Sequence, residues 1–138
     1  MRRSMYLLPA GLASLALACA AGPPPPPPLP SVVGDWAFEA FMQGQAQTIA
    51  TGKMQFARVD TVYSGVMHQD GDIERRMTGV SFTYPRVVFL VESPESVTSV
   101  NGTLTHADSL AGQWSDTRGN GGTWKAVRRP PAPPAAQR

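Results

Sequence analysis

Between Val32 and Arg129, apolar and polar residues alternate with a period of two, in short runs bounded by Gly, Asp, Asn, Ser and Pro. Successive side chains of a strand point to opposite faces, so this alternation predicts strands with one buried face. Eight runs stand out: Val33–Met42, Gln47–Arg58, Val62–His68, Ile73–Ser81, Arg86–Glu92, Val97–Thr105, Ser109–Ser115 and Thr123–Arg128. Within them the β-branched and aromatic residues suited to a pleated surface are frequent. Only Pro85 and Pro94 interrupt the region, and no long run carries apolar residues at the three- and four-residue spacing of a helix. Gln69-Asp-Gly-Asp72 is the best hairpin turn, because Asp-Gly accepts the left-handed backbone a tight turn needs, and Gly119-Asn-Gly-Gly122 is the next. Sequential strands on short loops predict an all-β, antiparallel up-and-down meander. Closing it into a barrel would remove its exposed edges. A two-sheet sandwich is the alternative.

A second pattern bears on closure. A five-residue phrase with glycine at its centre recurs as Ala50–Met54, Tyr63–Met67, Met77–Ser81, Val100–Leu104 and Leu110–Trp114. Its first, third and fifth positions share a face, so each copy sets a glycine between larger inward groups. Glycine inside a strand marks a bend, a bulge or a close backbone approach. Repeated bends of this kind predict a sheet that curls shut. The expected inward set is Trp36, Phe38, Met54, Phe56, Tyr63, Met67, Leu104, Leu110, Trp114 and Trp124. An eight-stranded barrel is just wide enough to be filled by side chains or to hold one small ligand. The aromatics Trp36, Phe38, Phe56, Tyr63, Trp114 and Trp124 are therefore either solid core or candidate lining of an apolar ligand cavity.

The ends of the chain change the picture from a bare barrel to one with a cellular address. Residues 1–18 have a basic start at Arg2 and Arg3, an apolar run from Met5 to Leu17, and Ala18 before Cys19. That is the layout of a secretory signal peptide, too short for a membrane-spanning helix. Leu15-Ala-Leu-Ala-Cys19 resembles a bacterial lipobox, which implies lipidation of Cys19 and a membrane partner through that lipid. With Ala20 rather than aspartate beside the cysteine, the resemblance implies an outer-membrane address facing the periplasm; a cleaved, secreted chain is the alternative. Residues 19–31 follow as a proline-rich linker. Proline fixes φ and lacks a donor, so Pro23–Pro30 is expected to form a stiff polyproline rod of roughly 25 Å. Residues 32–129 form the one folded domain, and 130–138 a disordered tail by composition.

Charge and chemistry mostly exclude. Discounting Arg2 and Arg3, ten of the twelve basic residues remain against ten acidic ones, so no net charge or basic cluster points to nucleic acid. The single cysteine excludes an internal disulfide and a cysteine zinc site. His68, Asp70, Asp72 and Glu74 form the densest polar cluster, but the hairpin turn already accounts for its aspartates, and His106 with Asp108 is a similar loop pair. No metal, cofactor, nucleophile elbow or phosphate loop is expected, and with them no enzyme. Arg75, Arg76 and Arg86 read as solvated outward positions among Glu74, Glu92 and Glu95.

Gly34-Asp-Trp36 at the start and Gly122-Thr-Trp124 with Arg128 at the end resemble the lipocalin and avidin group of calycin barrels. The resemblance spans residues 32 to 129. It implies that Trp36 plugs one barrel end, that Arg128, or else Arg129, packs across it, and that Gly34 and Gly112 serve barrel closure. It also implies a small apolar ligand or lipid in the barrel. A typical lipocalin has a C-terminal helix, a disulfide and longer strands, all missing here, which argues against a large cup. The alternative function is a non-enzymatic protein-interaction or inhibitor module with a solid core, and the sequence names no protein partner for it.

Overall fold

The computed structural model describes residues 22–130. The predicted signal peptide, Cys19 and the tail from residue 131 onward lie outside the described residues. Eight strands follow one another: β1 (Gly34–Met42), β2 (Thr48–Val59), β3 (Val62–Gln69), β4 (Ile73–Thr83), β5 (Arg86–Glu92), β6 (Val97–His106), β7 (Ser109–Asp116) and β8 (Gly121–Arg128). Each pairs antiparallel with the next, and β8 returns to β1 through a register running from Trp36 opposite Arg128 to Met42 opposite Gly122. The sheet is a closed barrel in simple meander order. Closure gives every strand two paired neighbours, with the β3–β4 ladder confined to Gly65–Gln69 opposite Ile73–Met77.

Alternation decides what goes inside. On β5, Val87, Phe89 and Val91 are buried while Val88 and Leu90 between them are exposed. All ten residues of the expected inward set face the interior: eight are buried, and Tyr63 and Trp114 are half-buried against the core. Phe89 sits at the centre, edge-on to Phe56 at 5.6 Å and to Trp124 at 6.2 Å between ring centroids. Such pairs add about 0.5–1.5 kcal/mol each beyond the area they bury.

Four of the five repeated glycines act as the pattern predicts. A Cβ on Gly102 would come within 2.5 Å of the Trp124 ring. One on Gly65 would meet the Met77 sulfur, one on Gly52 the His68 carbonyl and the Phe38 ring, and one on Gly112 the Asn101 carbonyl. The missing side chains let strands and rings approach where the sheet turns most sharply. Gly79 is different. Its φ is +59°, its surroundings are open, and the β4–β5 register slips between Thr78 and Ser81. It is the left-handed residue of a bulge, which switches the faces of the strand beyond it. Ser81, expected to point inward with Met77, is exposed, and Val80 and Phe82 pack on the core instead.

Candidate ligand cavity

The two ends of the barrel differ. At one end gather the start of β1, the end of β8 and the short loops at Asp60-Thr61, Tyr84-Pro85 and Ala107-Asp108. Trp36, fully buried, fills the interior there and donates its indole N–H to the Val32 carbonyl at 2.8 Å. Val32 is fully buried beside it. Across the indole face lies Arg128, its guanidinium carbon 4.4 Å from the ring centroid. Its Nη1 donates to the Val33 carbonyl at 2.6 Å, and Nη2 to the carbonyls of Ser31 at 2.5 Å and Ala107 at 2.9 Å. Nε reaches the Asp108 carboxylate at 3.2 Å. One planar fork thus ties the entering chain, the β6–β7 loop and the last strand over the plug. A Cβ on Gly34 would strike Nη1 at 2.8 Å, and the residue's φ of +131° is one few side chains adopt, so two constraints place glycine there. Arg128, not Arg129, is the residue that packs on Trp36.

The opposite end is open. A cavity of about 260 Å³ descends from it toward the barrel centre. Its walls and floor are Phe38, Ala40, Met54, Phe89, Trp114 and Trp124, and its rim carries Gln69, Arg75, Ser93, Ser96, Thr98 and Asp116. Small side chains at Ala40 and Ala50 leave the upper layer unfilled, whereas Trp36, Phe56 and Leu110 fill the lower one. Trp114 and Trp124 give their indole N–H groups to the carbonyls of Phe41 at 3.1 Å and Asn101 at 2.9 Å, so only apolar ring surface faces the space.

The six aromatics singled out from sequence therefore divide. Phe38, Trp114 and Trp124 line the cavity. Trp36 and Phe56 are packed below it, and Tyr63 lies edge-on to Phe82 at 5.8 Å with Arg58 over its ring. The polar cluster also disperses: His68 and Glu74 stand 3.9 Å apart on the outer face, while the Asp70 carboxylate accepts the Thr51 N–H at 3.2 Å.

Two rim residues escaped the sequence reading. Asp116 Oδ1 accepts the backbone N–H groups of Arg118 and Asn120, both at 2.9 Å, closing the β7–β8 turn. The Asn120 backbone N–H is the main cause holding its carboxyl below the ordinary 3.8. Arg75, expected in solvent, points inward: it is half-buried, pairs across β3 with buried Met67, and lines the mouth. The signal was present, since Arg75 is two residues before inward Met77 and alternation puts both on one face.

No family model matches the chain, and no curated protein does either. Among solved structures, a redesigned β-barrel is similar, with a TM-score of 0.57 at 16% identity over 71% of this chain and 91% of that one. The likeness is one of fold: a small antiparallel barrel.

Proposed function

We propose that the protein is a lipid-anchored, lipocalin-like binding protein of the bacterial envelope, which takes a small apolar molecule into the open end of its barrel. The observation that carries this reading is the unfilled 260 Å³. Native interiors pack as densely as organic crystals, with few voids larger than a water molecule. At roughly 30 Å³ for one water's share of volume, this space equals about nine. The arginine lock over Trp36 supports the lipocalin-like part of the reading.

Burying an eight-carbon chain gains about 6 kcal/mol before the costs of association. Affinities of tens of micromolar or weaker are therefore expected. Residues 22–130 should show a saturable change in tryptophan emission with one class among alcohols, small aromatics and fatty acids. Ligand at about ten times Kd should raise the melting temperature by about 5–10 °C. Silence across the panel would contradict the carrier reading and favour the protein-interaction alternative.

The anchor rests on the lipobox resemblance at Cys19. The proline stretch enters the barrel at its closed end, where Ser31 meets Arg128. Anchored at Cys19, the barrel would present its mouth away from the membrane that holds it. Cys19→Ala should move the protein from the membrane fraction to the soluble one, and unchanged fractionation would contradict lipidation at that residue.

A further inference from the structure

We infer that the ligand is a single-chain amphiphile with an anionic head, a carboxylate, held at the rim by Arg75 while its short apolar tail fills the cavity. The inference rests on the cavity reading above and adds the chemical class. Among the described residues that line this opening Arg75 is the one cation, its polar neighbours Gln69, Thr98 and Asp116 being neutral or acidic. The ion pairs among the described residues are His68–Glu74, Glu95–Arg118, Glu39–Lys125 and Asp108–Arg128, and none involves Arg75. No side-chain hydrogen bond among the described residues occupies it either. Asp116, the carboxylate on the same rim, is already engaged by Arg118 N–H, Asn120 N–H and the Asn120 side-chain amide. A half-buried cation is thus left facing the opening of an apolar space, with its five donors unspent.

Such a fork matches a planar carboxylate with two parallel hydrogen bonds. Thr98, whose hydroxyl makes no hydrogen bond among the described residues, and the Gln69 amide, which donates once to Asp70 at 3.5 Å and keeps a second N–H, share the rim. Below them the lining is ring, methyl and thioether. The volume limits the buried tail to about eight or nine non-hydrogen atoms. Polar above and apolar below, the site is complementary to a medium-chain fatty acid. A neutral chain would leave Arg75 with no gain from its partial burial, and a cationic one would be repelled.

The test compares octanoate, octanol, octylammonium and octyl phosphate on residues 22–130, read by the emission of Trp114 and Trp124. Octanoate should bind at least about tenfold more tightly than octanol, the factor expected of a charge-assisted hydrogen-bonded head, and octylammonium should bind weakest. Arg75→Gln should abolish the preference for octanoate over octanol while the melting temperature stays close to wild type. Arg75→Lys should restore part of the preference. Octyl phosphate separates the sources: preference for octanoate assigns the free acid, and preference for the phosphate assigns a phosphomonoester at the same arginine. Equal binding of octanoate and octanol by the wild type would overturn the inference while leaving the cavity reading intact. So would an Arg75→Gln protein that keeps the preference. Failure of all four probes would instead remove the cavity reading itself.

Discussion

Arg128→Ala lowers the melting temperature of residues 22–130 by about 12 °C or more. The guanidinium donates to three backbone carbonyls, those of Ser31, Val33 and Ala107, and to the Asp108 carboxylate, while lying on Trp36. Hydrogen bonds to a charged group contribute about 1.5–3 kcal/mol each, and a cation over an indole about 0.5–2 kcal/mol. The side chain is 24% exposed, so water replaces part of what is lost. A net cost of about 3 kcal/mol remains, and each kcal/mol is worth about 4–8 °C in a domain of this size. Alanine would also uncover the buried indole of Trp36 and release the entering chain. Arg128→Lys should recover less than half, because a point charge cannot serve three carbonyls at once. A loss under about 4 °C for Arg128→Ala would mean that the closed end is held by packing alone.

Gly112→Ala is expected to cost as much through a single methyl group. The added Cβ would meet the Asn101 carbonyl and the Gly102 Cα, the latter at 2.6 Å. Both are backbone atoms of the paired strand, with Gly102 directly opposite Gly112 in the register. Overpacking against flexible side chains costs about 1–3 kcal/mol; against backbone the upper end or beyond applies. Thermal or urea unfolding should show a loss of about 3 kcal/mol. The adjacent Ala111 is exposed, so Ala111→Val should change stability by no more than about 0.5 kcal/mol. If both variants matched wild type, the glycines would not be what bends the sheet.

The fold was legible in the sequence for a simple physical reason. A half-buried strand must alternate wherever no bulge interrupts it, so β5 can be read directly from Arg86 to Glu92. The glycine phrase added curvature, and the Asp-Gly turn fixed where β3 gives way to β4, with Asp70 and Gly71 both at positive φ. Local bulges were less legible. Gly79 carries the same phrase as Gly112, yet one is an open left-handed bulge and the other a crowded contact, because only the partner strand decides which. The cavity was legible only as one of two alternatives for the inward aromatics, of which Phe38, Trp114 and Trp124 line it. Whether the inward aromatics fill the barrel or line a space depends on how far each reaches across it, and the small Ala40 and Ala50 near the mouth settle that. Arg75 was misplaced by treating three arginines as one surface group, although alternation through Met77 already turned Arg75 inward.

That one end of the barrel binds and the other is locked can be read from the three indole N–H resonances of residues 22–130 in a ¹⁵N-correlated NMR spectrum. Trp114 and Trp124 line the cavity, while Trp36 lies beneath Arg128. Titration with octanoate should shift the first two saturably and leave Trp36 in place. Three unmoved resonances, or a Trp36 signal that shifts with the others, would contradict it.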